Sequence, residues 1–447
     1  MQLKFKKIVG YFFVCLFVFA FLFVGLVQAA NTSIVVTVGG SPCALAVTPD
    51  GKYVYVPTGQ SVAVIDTSTN KLVTSIKTGR SCGVAVTPDG EYVYVLNGIP
   101  ANMASGASVS VISVSSNKVV SSIMVDGAPE DVAITPNGKY VYVLSTKFVL
   151  VDTVLSIRKA FGFVSVIDIA TEDVVATVQA GVASCAVAIT SDGECVYVAN
   201  SDGTLSVIDS SFNVETKSIA AENVTLSNMA ISSDDKYLYV VTWDEVLVVS
   251  VANYDVVATV TGFGAPSGVA VTPDGKYVYV TEGWNDAVSV ISTAKNVVEY
   301  YASAGTSPKA VVIAPNGKYA YVTNLAGRVI DDGTGINIEH VGTVSVISTD
   351  PKLVTTVVPS RVPDSVNNGD SLINIGPNTD IPTASHPIVS LQSLLVVVVL
   401  CVVVVVVVFL VVMRIRRKPK VSFLTTDLGV KKQSCVCLTN FKTSFFV

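Results

Sequence analysis

Histidine is nearly absent. The 447 residues hold two, His340 and His386, and that count excludes a His-rich copper or iron centre. Charge is scarce too, at 14% of residues. The eight cysteines contain no Cys-x-x-Cys pair, so neither a zinc ribbon nor a c-type haem attachment is supported. Tryptophan occurs twice, as Trp243 and Trp284. Basic residues are short in the middle of the chain. The net charge is −5, yet Lys4, Lys6 and Lys7 stand at one end, and eight Lys and Arg follow residue 413 beside a single acid, Asp427. The long segment between is therefore strongly acidic, which argues against nucleic acid and other polyanions as partners.

Apolar residues are abundant, at 50%, and two long runs account for part of that. Three lysines precede the run Ile8–Val27, and "VQAA" closes it with small residues placed for cleavage after Ala29. Residues 1–29 read as a secretory signal peptide, with an uncleaved anchor as the alternative. Residues 391–413 read as a transmembrane helix. Within them Leu394–Met413 is apolar throughout, with seven consecutive valines, long enough to cross a bilayer core of roughly 30 Å. Arg414, Arg416, Arg417, Lys418 and Lys420 follow at once and predict a cytoplasmic tail over 414–447. Residues 359–390 are rich in Pro, Asn, Asp and Ser and read as a stalk. This topology predicts a single-pass protein of the cell membrane, with its main domain outside. Asn31 and Asn223 head glycosylation sequons.

The main domain is a repeat. "TPDGKYVYV" occurs at Thr48–Val56 and again at Thr272–Val280, and variants begin at Thr87, Thr135, Thr190, Ser232 and Ala314. Seven copies separated by 39 to 55 residues are a radial β-repeat signature. Each copy lies between an apolar run such as "GVAV" and a later "SVI", and a valine-rich run such as "DVVATV" ends the unit. That is four short strands per unit. Thr-Pro-Asp-Gly is turn chemistry: Pro suits the first central position, Asp caps its own backbone and Gly takes a positive φ. Tyr and Val alternate in "KYVYV" with both faces apolar, as a sheet covered on both sides requires. The expected fold is all-β, a seven-bladed β-propeller of four-stranded antiparallel blades over residues 33–358, plus the C-terminal helix.

The hairpin copies and the "SVI" strands resemble the YVTN-type seven-bladed propeller repeat of secreted and surface-layer proteins, many of them archaeal. Tyr-Val-Thr-Asn stands intact at Tyr321–Asn324 and is degraded elsewhere, as in "YVPT" at Tyr55 and "YVLN" at Tyr94. The resemblance implies a fold more than an activity. Seven units supply eight candidates for the fourth strand. Either "SIVVTV" at Ser33–Val38 or "KLVTTV" at Lys352–Val357 closes the ring, and the N-terminal one is favoured.

Candidate site residues come from departures from the repeat. The second-to-third strand connections share one face, and three are long: Asn97–Ser108, Ser145–Phe163 and Thr323–Gly342. Insertions gathered on one face often mark where a repeat fold binds; drift of exposed loops is the bland reading. Lys147, Arg158, Lys159, Arg328 and His340 lie in these insertions. Asp331, Asp332, Asn337 and Glu339 offer oxygen ligands of the kind calcium prefers, without EF-hand spacing. Trp243 and Trp284 occupy the same connection in neighbouring units, where they either stack on sugar rings or pack against adjacent loops. Cys43, Cys82 and Cys185 share one repeat position with Glu130, Ser227, Ser267 and Lys309, at the start of the innermost strand. A small half-buried residue fits there. A disulfide between Cys43 and Cys82 needs Cα atoms within roughly 7 Å, and different blades are expected to hold them too far apart.

The sequence therefore predicts a membrane-anchored surface propeller serving as a binding, adhesion or envelope-structural module. Its partner would be an envelope polymer, a glycan or a surface protein, and no cofactor is expected apart from calcium. The alternative is an extracellular lactonase-like propeller enzyme. The scarcity of histidine and the regular strands favour the binding module.

Overall fold

The structure is a computed structural model, and it describes residues 34–98, 107–152, 157–220, 224–331 and 336–351. The predicted signal peptide, stalk, membrane span and tail lie outside these residues. Among the described residues no helix is long and apolar enough to cross a membrane. The chain separates into two compact units, Met1–Asn367 and Asn368–Val447; every described residue falls in the first.

The first strand is β1 (Ile34–Thr37). The first blade follows, with β2 (Ala46–Val47), β3 (Tyr53–Pro57), β4 (Gly59–Asp66) and the first part of β5 (Lys71–Val86). β5 runs on without a break to become the inner strand of the second blade, beside β6 (Tyr92–Asn97), β7 (Ser108–Ser113) and β8 (Lys118–Met124). The third blade is β9 (Ala128–Ile134), β10 (Tyr140–Asp152), β11 (Ile157–Asp168) and β12 (Asp173–Val182). The fourth is β13 (Ser184–Ile189), β14 (Cys195–Asn200), β15 (Thr204–Asp209) and β16 (Val214–Ala220). The fifth is β17 (Asn228–Ile231), β18 (Tyr237–Val241), β19 (Glu245–Ser250) and β20 (Val256–Thr261). The sixth is β21 (Pro266–Val271), β22 (Tyr277–Glu282), β23 (Ala287–Ser292) and β24 (Val297–Ser303). The seventh has β25 (Pro308–Ile313), β26 (Tyr319–Asp331) and β27 (Ile336–Ser348), and β1 completes it.

All ladders are antiparallel. β1 pairs with β27 from Ile34 opposite Val346 to Thr37 opposite Thr343, so the N-terminal strand closes the ring. The competing segment at 352–357 lies outside the described residues. The inner strands touch in the order β2, β5, β9, β13, β17, β21, β25 and back to β2. Seven four-stranded units in a closed cycle are a β-propeller, and closure removes the free edges that an open sheet of this composition would expose.

The turn chemistry is the one the repeat implies. In the first blade the Gly51 N–H reaches the Thr48 carbonyl at 2.8 Å, with Gly51 at φ +72°. The Thr48 hydroxyl donates to Asp50 Oδ1 at 2.7 Å and accepts from the Tyr53 N–H at 3.0 Å. These turns also interlock around the ring. A Cβ added at Gly90 would meet the Pro49 ring at 3.4 Å, and one at Gly51 would meet Pro315 at 3.9 Å. The fifth unit has Asp235 where the others have Gly, at φ +56°. Its carboxylate accepts from the Ser191 N–H of the fourth unit at 2.9 Å, which offsets the strain.

The core lies between blades. The second tyrosine of each "YVYV" copy is buried in all seven: Tyr55, Tyr94, Tyr142, Tyr197, Tyr239, Tyr279 and Tyr321. The first is only half buried or exposed, so one face of "KYVYV" is covered fully and the other at its far end is not. The buried hydroxyls bolt one blade to the next. Tyr55 donates to Asn117 Oδ1 at 2.9 Å, and Tyr142 to Asn213 Oδ1 at 2.8 Å. Both asparagines sit at φ +52° in the third-to-fourth strand turn of the following blade, a backbone region that Asn tolerates better than most residues.

Candidate functional site

One face of the ring carries the second-to-third strand connections and the starts of the inner strands. Its rim rests on a buried polar anchor that gives the Tyr-Val-Thr-Asn string its use. Asn324 is fully buried at the end of that string. Its Nδ2 donates to Thr343 Oγ1 at 3.1 Å and Ser345 Oγ at 3.0 Å, and its Oδ1 accepts from the Gly305 N–H at 3.1 Å. One side chain thus ties the entry loop, the second strand and the serine of "SVI" together. Asn200 does the same through Thr204, Ser206 and Ser184. In the sixth unit Glu282 takes this place. It accepts from the Gly264 N–H at 2.9 Å and from Asn285 Nδ2 at 2.5 Å, and it binds the Ser289 hydroxyl. In the third unit Ser145 occupies the position, and its buried hydroxyl has no partner.

The two tryptophans stand on this rim. Trp243 lies between β18 and β19, Trp284 between β22 and β23. They are 71% and 58% exposed. Their rings meet edge to face, with centroids 6.2 Å apart and planes at 83°. The pair bridges two blades; the Trp284 backbone is hydrogen-bonded, and Trp243 follows a bonded Thr242. The Thr242 N–H donates to the Glu245 carbonyl at 2.9 Å, and the Trp284 N–H to the Gly264 carbonyl at 3.1 Å. Each indole packs on the other across the two blades and stays largely exposed to solvent.

Two of the three expected long loops are not loops. β10 and β11 continue their ladder from Leu144 opposite Val164 out to Leu150 opposite Arg158. β26 and β27 continue to Asp331 opposite Ile336. Both insertions are β-ribbons with tips outside the described residues, at 153–156 and 332–335. The signal was present: Ile336 and Ile338 alternate with Asn337 and Glu339, a period of two. In the blade-two connection, residues 99–106 lie outside the described set.

The ribbons reorder the candidate residues. Lys147 is half buried; its Nζ reaches Asp126 Oδ2 at 2.8 Å and lies 4.9 Å from the centre of the Phe163 ring. Its charge is answered within the blade. Lys159 is exposed and stands opposite Val149, with Arg158 opposite Leu150. Arg328 is in β26 opposite Glu339, and His340 is in β27 opposite Gly327 rather than in a loop. Of the calcium candidates, Asn337 pairs with Ile330 and Asp331 with Ile336. Asp332 and the side chains of the other three lie outside the described set. Among the described residues no group of three or more His, Cys, Asp and Glu is placed to hold a metal.

The channel mouth on this face holds what the repeat alignment underrated. At three of the seven shared ring positions the side chain reaches the backbone of the next blade. Ser267 Oγ donates to the Lys309 carbonyl at 2.9 Å, Cys185 Sγ to the Leu226 carbonyl at 3.1 Å, and Cys43 Sγ to the Cys82 carbonyl at 3.3 Å. Cys43 and Cys82, expected to be too far apart, are in contact, because the inner strands converge at the channel. Beside them Asp131 of β9 accepts from its own neighbour Val132 and, through Oδ2, from the Val187 N–H of the fourth blade at 2.9 Å. Burial pushes its carboxyl up to about 6, against two N–H donors that pull the other way. Burial, and then the neighbouring Asp131, also raises Glu130.

Seven four-stranded blades in a closed cycle define a β-propeller. No protein-family model matches the chain. A curated relative, the seven-bladed beta-propeller protein Rv1057 of Mycobacterium tuberculosis (strain ATCC 25618 / H37Rv), is 35% identical over 115 residues. That match covers 24% of this chain and 29% of the relative. Among solved structures, a chain of Kuenenia stuttgartiensis hydrazine synthase is similar with a TM-score of 0.56 at 20% identity, over 68% of this chain and 96% of that one. Both likenesses support the propeller, and the second bears on the fold alone.

Proposed function

We propose that this chain is a membrane-anchored surface propeller that binds a glycan of the cell envelope, with Trp243 and Trp284 as its aromatic contact. The observation that carries the reading is the exposed indole pair on the connection face. Large aromatic side chains left in water cost hydration free energy, and a sugar ring offers C–H faces that cover them. The right-angled pair supplies a floor and a wall for one ring. Exposed Asp244 and Asp286 flank it and suit hydroxyl donors. The acidic segment fits a neutral or basic glycan better than a polyanionic one. The apolar run at 391–413 would hold the propeller at the outer surface of the membrane.

The chain contains no third tryptophan, so tryptophan emission, excited at a wavelength that its tyrosines do not absorb, reports on this pair alone. Full-length protein in detergent, titrated with cellohexaose, chitohexaose and maltohexaose, should show a saturable emission change with one of them. Trp243→Ala and Trp284→Ala should each weaken that binding about tenfold, or ~1.4 kcal/mol. No saturable change with any of the three at millimolar concentration overturns the glycan reading.

A further inference from the structure

Three of the seven ring positions at the channel mouth are cysteines, and only two of them are on adjacent blades. Cys43 belongs to the first blade and Cys82 to the second, while Cys185 of the fourth lies between Glu130 of the third and Ser227 of the fifth. At Cys43, as at Cys185 and Ser267, the side chain is aimed at the following blade, which puts the Cys43 sulfur against the backbone of Cys82. Its sulfur stands 3.3 Å from the Cys82 carbonyl oxygen and 3.8 Å from that of Ser81. Cys82 is exposed and Cys43 half buried, and both are free thiols. We propose that Cys43 and Cys82 are a redox pair that closes to a disulfide, stapling the ring-closing segment to the second blade.

Cys43 lies six residues beyond the end of β1. It sits on the segment that joins the closing strand to a first blade whose inner strand, β2, has only two residues. That segment is held by few bonds: Val38 and Gly39 N–H to the Gly342 carbonyl, and Ser41 N–H to the Thr58 carbonyl. A covalent tie here adds to these few bonds.

The chemistry divides between the two sulfurs. The hydrogen bond from the Cys43 thiol lowers Cys82, outweighing the opposing effects of the partial desolvation at the channel mouth and of Glu130 and Asp131. The same bond, followed by burial, raises Cys43. The exposed Cys82 thiolate attacks one sulfur of a small-molecule disulfide, such as oxidised glutathione, and expels a thiolate. Cys43 then gives up its proton and attacks the Cys82 sulfur of the mixed disulfide, which expels the second thiolate. Two protein thiols become one disulfide, and the small disulfide is reduced by two electrons to two thiols.

The test uses the full-length chain in detergent, equilibrated in glutathione buffers of increasing oxidation, alkylated and digested without reduction. A Cys43–Cys82 linked peptide should accumulate while Cys185 stays open to alkylation. In Cys43→Ser the reaction should stop at the first step, leaving Cys82 bound to one glutathione. Oxidation of the native chain should raise Tm by about 5–10 °C, as expected for a closed loop of this length, and that rise should be absent in Cys43→Ser. The proposal fails if Cys43 and Cys82 remain alkylatable in fully oxidised glutathione. It fails equally if Cys185 is consumed as fast as Cys82, or if Cys82 of the single variant takes up no glutathione.

Discussion

The two faces of the ring are built from the same seven repeats and have diverged in opposite ways. On one face seven Thr-Pro-Asp-Gly turns, or close copies, rest each on the one before. Four of the turn carboxylates, Asp50, Asp192, Asp234 and Asp274, are exposed and held as anions by hydrogen bonds. Asp50 and Asp234 are each lowered to about 2, chiefly by a hydrogen bond from the lysine two residues on. On the other face the anchor residue changes from Asn to Glu to Ser, connections lengthen into ribbons, and Asp131 is pushed up to about 6. The difference teaches where constraint lies. A turn that must pack on its twin tolerates little, whereas a rim that only caps its own blade can be rebuilt blade by blade.

The largest expected effect breaks this comparison directly. Asn324→Leu leaves the Gly305 N–H, the buried Ser345 hydroxyl and the half-buried Thr343 hydroxyl without their partner, and the anchor is wholly inside. Urea unfolding should show a loss of about 3 kcal/mol, since orphaned buried groups cost their desolvation. On the opposite face Asn316→Ala removes only the exposed bond from the Lys318 N–H and should cost about 1 kcal/mol or less. Equal losses would mean that the two rims carry the same constraint.

A smaller effect separates the faces by pH. Asp131 has its folded value raised above the ordinary carboxylate value of 3.8. It therefore contributes stability that is fully present below that value and fades as pH rises through about 6. Two pH units correspond to about 3 kcal/mol, and water in the channel reduces that. Asp131→Asn should flatten the stability profile between pH 4 and 7, whatever it does to the absolute value by weakening the bond from Val187. The turn carboxylates have the opposite sign, because their stabilisation is lost only as pH falls from 3.8 toward 2. An unchanged slope in the variant would show that the channel does not raise this carboxyl.

Much of the fold was legible because repetition multiplies weak signals. One Thr-Pro-Asp-Gly turn is only a turn, but seven at a period near 40 residues define blades, and the favoured closing strand is the one that pairs. What stayed hidden depended on distance across the ring rather than along the chain. Cys43 and Cys82 are thirty-nine residues apart, and only the convergence of inner strands at the channel brings them into contact. The anchoring role of Asn324 was hidden for a related reason, since its partners Gly305 and Ser345 lie nineteen and twenty-one residues away. The ribbons were legible in the alternation of Ile336 and Ile338 but were masked by the charges around them. The tryptophan pair was placed on the correct connections, and its edge-to-face contact needed coordinates.

The smallest effect on stability sharpens the comparison most. If the variable face is free of folding constraint, its ribbons can be removed. Replacing 147–159 and 326–341 with short turns leaves the Asn324 anchor and the four-stranded ladders in place and deletes only ladder pairs that extend past them, such as Val149 with Lys159 and Val329 with Ile338. A two-stranded ribbon contributes little stability of its own. The thermal midpoint should therefore move by no more than about 4 °C, or ~1 kcal/mol. Binding is the discriminating readout. The ribbons carry Lys159, Arg158 and Arg328, and an exposed charge contributes on the order of 1 kcal/mol or less. Their joint loss should weaken the hexasaccharide affinity by about tenfold at most, and the Trp243–Trp284 fluorescence response should persist. A full loss of binding with an intact melting curve would move the centre of recognition from the tryptophan sector to the ribbons. A collapsed melting curve would show that the ribbons hold the ring together, and the two faces would then differ in shape but not in constraint.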